Sequence, residues 1–329
     1  MHIRRKLSIF LLMLVLPSLS YAAEAPIKLR VAYPTLTASY AVAWVAKEEN
    51  LFRKNGLDVE LLFIQSSPIL VAAMLAGNAP IGLTSGAPAV SSNLSGSDLV
   101  LIASLSNVSG IAYLVASPKV ASPTELKGKI IGIDRFGGTG DFILRRALRK
   151  LAIDPDKDVT LRQVGQSPVR LAALQAGSID ATTITVEDKL AAEKFRLKIL
   201  IDIPKLGIEV LSSGVVTTRS FIKREEETVR KFMRSIIEGI HYYRAHKGRS
   251  IEIMSKYMKI ADSRLIEIGY DFNAQTYRQK PYPFVQGIQL VLEQLASTNP
   301  AAKTADPDRF IDGRFVKEFD DSGFIDRLR

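Results

Sequence analysis

Cysteine is absent from this 329-residue chain and histidine occurs three times, so its chemistry must come from carboxylates, hydroxyls, arginines and backbone amides. Disulfides, thiolate-metal sites, a cysteine nucleophile and a lipid-modified N-terminal cysteine are all excluded. His2 falls in a segment read below as a leader. His241 and His246 are five apart on one predicted helix, on different faces rather than at the i,i+4 spacing of a shared metal. No catalytic residue, metal site or cofactor is expected. The run Gly137-Gly138-Thr139-Gly140 stands directly before a predicted helix, where backbone N–H groups at the positive end of the helix dipole suit an anionic group. A glycine-rich turn with Thr139 or Asp141 as the helix cap reads equally well. The stretch from Gly132 to Thr139 falls one residue short of a nucleotide P-loop, with Gly138 where lysine is required, and nucleotide binding is rejected. Asp134, Asp141, Glu187 and Asp188 could form an acid–base pair, but caps and surface charge explain them more simply. If Asp134, Asp141 or Glu187 faces a ligand, that ligand should carry an amine, a ring N–H or hydroxyls.

The elements that must position these groups follow from the apolar pattern. Leu29 to Ala32 reads as a strand, Tyr40 to Lys54 as a helix stopped by Gly56, Asp58 to Ile64 as a strand, Pro68 to Ala76 as a helix and Ile81 to Leu83 as a strand. This β-α-β-α-β order predicts a parallel sheet with helices on its faces. A second copy begins at Lys129, with strands at Lys129 to Asp134, Val159 to Val164 and Ala181 to Ile184 and helices at Asp141 to Leu151 and Pro168 to Ala176. The copies align without a gap at an offset of 100 residues. Identical pairs include Asp58/Asp158, Val59/Val159, Leu61/Leu161, Ser67/Ser167, Pro68/Pro168, Ala72/Ala172, Ala73/Ala173, Ala76/Ala176 and Gly77/Gly177. Generic amphipathic patterning explains alanines in a helix, but not a Ser-Pro start and an Ala-Gly stop matched at one spacing. The chain therefore reads as an internal duplication giving two similar α/β lobes.

Ile111 to Ser117 and Val210 to Thr218 are extended runs on either side of the second copy, which predicts two crossings between the lobes. The chain after Thr218 is helical and is assigned to the first lobe. The expected limits are 23–113 with 217–329 for lobe 1 and 114–216 for lobe 2. Ligands of open α/β sheets sit beyond the strand C-termini, so the loops 34–40 and 134–140, and 84–87 and 184–187, should face one cleft. Lobe 1 offers Thr35, Thr37, Ser39, Tyr40, Thr84, Ser85 and Gly86. Lobe 2 offers Arg135, Gly137, Gly138, Thr139, Gly140, Asp141, Thr183, Thr185 and Glu187. Trp44 is expected in the core.

Arg4, Arg5 and Lys6 precede an apolar run from Leu7 to Leu16, and Ser20 and Ala22 have the small side chains of a cleavage site. Residues 1–22 read as a secretory signal peptide, half the apolar length a membrane span requires. The expected product is free in the periplasm. The formal net charge of +10 is interspersed, as in Lys223-Arg224-Glu225-Glu226-Glu227, and no basic stripe interleaved with aromatics suggests nucleic acid.

The segments Lys127-Gly128-Lys129-Ile130-Ile131-Gly132-Ile133, Leu144-Arg145-Arg146-Ala147-Leu148, Asp154 to Leu161 and Leu171 to Ala181, with the tail Lys317 to Asp326, resemble the solute-binding proteins of ABC importers in the aliphatic-sulfonate, nitrate, taurine and thiamine-precursor branch. The resemblance implies a type II periplasmic-binding fold, with two α/β lobes joined by two crossing strands and a cleft that closes on ligand. It also implies a monomer that delivers a small polar or anionic solute to an inner-membrane ABC permease with its cytoplasmic ATPase. Binding is then expected at Thr35 to Tyr40, Thr84 to Gly86, Gly137 to Asp141 and Thr183 to Glu187. Thiamine-precursor synthases of this fold rely on a histidine and a cysteine-rich motif, and a chain without cysteine departs from them. The alternative reading is a periplasmic sensor that presents its closed form to a membrane receptor.

Overall fold

A computed structural model of the chain describes residues 25–260 and 262–328; the expected signal peptide lies outside the described residues. Two five-stranded mixed sheets form the two lobes. The first contains β1 (Ile27–Tyr33), β2 (Leu57–Phe63), β3 (Ile81–Thr84) and β4 (Leu99–Ser106), and it receives β10 (Ser213–Thr218) from late in the chain. The second contains β5 (Ile111–Ala116), β6 (Ile130–Ile133), β7 (Thr160–Gln163), β8 (Ala181–Thr185) and β9 (Lys198–Asp202). The orders are β2-β1-β3-β10-β4 and β7-β6-β8-β5-β9, the same arrangement twice, with a strand from across the crossing inserted antiparallel in fourth place. β5 and β10 each belong whole to one sheet, so the chain changes lobes at 107–110 and at 207–212. Both crossings come earlier than the expected limits at 113/114 and 216/217.

The duplication has a physical counterpart in the helices Ser67–Leu75 and Ser167–Gln175, which begin and end at equivalent positions. Proline stands in the first turn of each, where its missing N–H has no helical partner to lose. Each stops at a glycine in the left-handed region, Gly77 at φ 80° and Gly177 at φ 71°. Matching turn bonds close both ends: Gly77 N–H to Met74 O and Asn78 N–H to Ala73 O in one, Gly177 N–H to Leu174 O and Ser178 N–H to Ala173 O in the other.

Several elements differ from the sequence reading, among them strand β9 and helix Lys189–Lys194, which were not anticipated. The helix expected over 40–54 is broken, because Asn50 takes a left-handed conformation (φ 56°) between Ala41–Glu48 and Leu51–Lys54. Helix Gly86–Leu94 and strand β4 were not anticipated; the first carries Pro88 and three hydroxyl or amide side chains, and the second is buried at every position, without alternation. The C-terminal helices pack on the first lobe. Helix Glu226–Ala245 places Phe232 in parallel-stacked contact with Phe52 (ring centroids 5.6 Å apart). Trp44 is fully buried there, stacked on Tyr257 at 5.1 Å, and does not line the cleft.

Candidate functional site

The C-terminal ends of β1, β2, β6 and β8 and both crossing segments surround one cavity of about 340 Å³ between the lobes. Lobe 1 contributes Thr35, Thr37, Ser39, Tyr40, Ser66 and Ser67; lobe 2 contributes Asp134, Thr139, Gly140, Gln166, Ser167, Arg170, Thr185, Glu187 and Asp188. Phe63, Met258 and Ile260 add apolar surface, and Ser109, Gly110 and Ser212 come from the crossings. This size lies within the range that encloses small organic ligands.

Two hydrogen bonds join the lobes beside the cavity. Thr139 Oγ1 donates to Ser85 Oγ (2.7 Å), and the Ala38 N–H donates to Glu187 Oε1 (3.3 Å). Glu187 is 5% exposed and presses against Gly269 of the C-terminal helix Ser263–Thr276, where a Cβ would lie 2.8 Å from its carboxylate oxygen. Burial pushes its carboxyl above the usual glutamate range, against the weaker pull of the Ala38 N–H. Burial also raises Asp134, against the pull of the Arg135 backbone N–H and the charge of Arg170.

Arg170 is buried and committed to the protein. Its Nε donates to Thr182 Oγ1 (2.8 Å), its Nη2 to Thr183 O (2.8 Å) and its Nη1 to Gly165 O. Asp188 is similarly occupied, accepting from Ser167 Oγ (2.5 Å) and Thr185 Oγ1 (2.9 Å). Ser66, just before helix Ser67–Leu75, holds φ 75°, a conformation non-glycine residues adopt only when their surroundings impose it.

Of the residues expected from sequence, Thr35, Thr37, Ser39, Tyr40, Thr139, Gly140, Thr185 and Glu187 line the cavity. Thr84, Ser85, Gly86, Arg135, Gly137, Gly138, Asp141 and Thr183 do not. Thr84, Ser85 and Thr183 are buried under the strand ends, and the Gly86 N–H donates to Leu211 O. Asp141 folds back on its own helix, Thr139–Lys150, accepting from the Gly137 N–H (2.9 Å) and from Arg145 Nε (2.6 Å). The Gly138 N–H is taken by Arg135 O. The glycines of this turn make room for Asp134: a Cβ at Gly140 would lie 2.7 Å from Asp134 Oδ1, and one at Gly138 would lie 3.0 Å from Asp134 Oδ2. The carboxylate of Asp134 thus occupies the close approach that one of the two sequence readings of this turn gave to an anionic ligand.

Sequence reasoning missed Ser66, Ser67, Gln166, Ser167, Arg170 and Asp188 as lining residues, and kept Asp134 only as an acid that would matter if it faced the ligand. A signal existed in the repeat. Leu70 is fully buried above Gly82 in lobe 1, and the equivalents in lobe 2 are Arg170 and Thr182, a buried charge where the copy has core. Among the described residues, no three histidine, cysteine, aspartate or glutamate side chains cluster so as to hold a metal ion.

Comparison with known proteins agrees with this geometry. A protein of Brucella abortus named only as a binding protein is 26% identical over 268 residues, covering 80% of this chain and 81% of that one. Among solved structures, the alkanesulfonate-binding protein SsuA of Xanthomonas axonopodis pv. citri, bound to MOPS, superposes with TM-score 0.69 at 18% identity, over 87% of this chain and 96% of that one. The periplasmic nitrate-binding protein NrtA of Synechocystis superposes with TM-score 0.73 at 12% identity, over 92% and 91%. These likenesses establish the periplasmic-binding-protein fold, with its paired lobes and crossing strands. The NMT1/THI5-like family model matches residues 37–249, which take in the second copy of the repeat, most of the first and both crossings, and the chain belongs to that family.

Proposed function

We propose that this protein is the solute-binding component of an ABC importer, exported to the periplasm with its signal peptide removed. It captures a small polar solute between its lobes and presents the closed form to an inner-membrane permease with its cytoplasmic ATPase, acting as a monomer and changing no bond in the solute. The observation that carries this reading is the cavity itself, walled by equivalent loops of two duplicated lobes and spanned at its edge by the Thr139–Ser85 and Ala38–Glu187 hydrogen bonds. Contacts of this kind form only when the lobes approach, so a ligand bridging them shifts the population toward closure by its differential affinity for the two states. Family membership and the sulfonate- and nitrate-binding roles of the fold neighbours support the same assignment.

The test is small-angle scattering on protein unfolded and refolded to strip carried-over solute. Adding back the solute released from the native preparation should reduce the radius of gyration. An unchanged radius at saturation contradicts capture by closure.

A further inference from the structure

Three buried polar atoms on residues that line the cavity have no hydrogen-bond partner among the described residues: Ser66 Oγ, Asp134 Oδ1 and Glu187 Oε2. Ser66 and Glu187 are each 5% exposed, so bulk water does not readily supply what they lack. Leaving such a group unsatisfied is costly, and an ionised carboxylate can only accept. Two of the three unmet needs are therefore for donors. The cavity's charges point the same way. Asp134, Glu187 and Asp188 line it, and Arg170 is its sole lysine or arginine. Arg170 already donates from all three guanidinium nitrogens to Thr182, Gly165 and Thr183, and among the described residues it makes no ion pair within 4 Å. An oxyanion placed here would meet two acceptors without donors and an arginine with three of its five N–H groups already engaged. At the N-terminus of helix Thr139–Lys150, the natural anion site, the Gly137 N–H is already taken by Asp141 and the Gly138 N–H by Arg135 O, and the Asp134 carboxylate lies against Gly138 and Gly140.

We infer that the cavity takes a small organic cation, an amine, amidine or protonated ring nitrogen whose N–H groups donate to Asp134 and Glu187 while its apolar body rests on Phe63, Met258 and Ile260. This rests on the solute-binding reading above and sets the chemical class of that solute. Glu187 extends from lobe 2 to the Ala38 N–H and Gly269 of lobe 1, so a cation on its second oxygen binds at the point where the lobes meet.

The test is calorimetric titration of stripped, refolded protein at neutral pH with benzamidine, agmatine and 4-aminopyridine, and in parallel with nitrate and ethanesulfonate. The expected result is binding by at least one cation, by neither oxyanion, and a loss of about tenfold or more in that affinity in both Glu187→Gln and Asp134→Asn, the scale of a charge-assisted hydrogen bond. Circular dichroism of both variants should match the parent. Binding of an oxyanion in place of the cations overturns the inference, as does cation affinity unchanged in both variants, or no response from either set. The broader reading is judged separately by scattering. Oxyanion-driven compaction would leave it standing while the cation class fell, whereas no compaction with the solute released from the native protein would defeat it.

Discussion

Glu187→Gln should make the unliganded protein more stable while making it a poorer binder. The side chain is 5% exposed, one oxygen accepts a long hydrogen bond from the Ala38 N–H (3.3 Å), and the other has no partner among the described residues. Glutamine keeps the shape and an acceptor for Ala38 but removes the charge, and an unsatisfied buried polar group costs on the order of 1–3 kcal/mol, at least as much when charged. At about 2–4 °C per kcal/mol for chains of roughly 150–250 residues, the thermal midpoint should rise by roughly 2–12 °C at neutral pH. The pH dependence has a definite sign. Because burial holds the Glu187 carboxyl above its ordinary value of 4.5, the folded state binds this proton more readily than the unfolded chain. Stability from this group is therefore present at low pH and lost as pH rises through the raised value. The variant lacks that loss. Its advantage should be greatest near pH 8 and close as pH falls toward about 4.5, with Asp188, Tyr243 and Tyr277 facing the site equally in both proteins. Thermal unfolding of both proteins across that range is the assay. A parent more stable than the variant at pH 8, or a difference independent of pH, would refute the reasoning.

Ser85→Ala removes the acceptor of the Thr139 hydroxyl without touching the cavity wall. A net hydrogen bond of about 0.5–1.5 kcal/mol should appear as a roughly 2- to 10-fold weaker ligand in calorimetry, acting through closure. Gly138→Leu puts a Cβ 3.0 Å from Asp134 Oδ2 and should weaken the ligand by displacing that carboxylate. Its effect should then be less than additive with Asp134→Asn in a double-mutant cycle, and full additivity would place it elsewhere. Protein recovered from the periplasm should have the intact mass of a chain beginning at Ala23, and a retained leader would contradict export by cleavage.

The fold was legible where local rules act in pairs. Ser67-Pro68 and Ser167-Pro168 mark helix starts, Gly77 and Gly177 mark stops, and one offset of 100 residues joins them, which announces two lobes before any contact is known. β4 was not legible, because a strand buried on both faces carries no alternation, and the break at Asn50 depends on a single left-handed residue inside an otherwise helical pattern. The site divided along the same line. The loops after β1 and β8 follow from the rule that ligands bind beyond strand C-termini, and they supply Thr35 to Tyr40 and Thr185 to Glu187. The loops after β2 and β7 obey the same rule, but their serines were absorbed as helix-start signals. Arg170 passed unnoticed because its burial, and the pairing with Thr182 that satisfies it, exist only once β8 and helix Ser167–Gln175 are packed together.

The most direct measurement is a crystal structure of the natively purified, unstripped protein. The account predicts density for a small molecule in the cavity between the lobes, within hydrogen-bonding distance of Asp134 and Glu187 and in contact with side chains of both lobes. A molecule bound elsewhere, or one held by a single lobe with the Thr139–Ser85 and Ala38–Glu187 bonds broken, would contradict it.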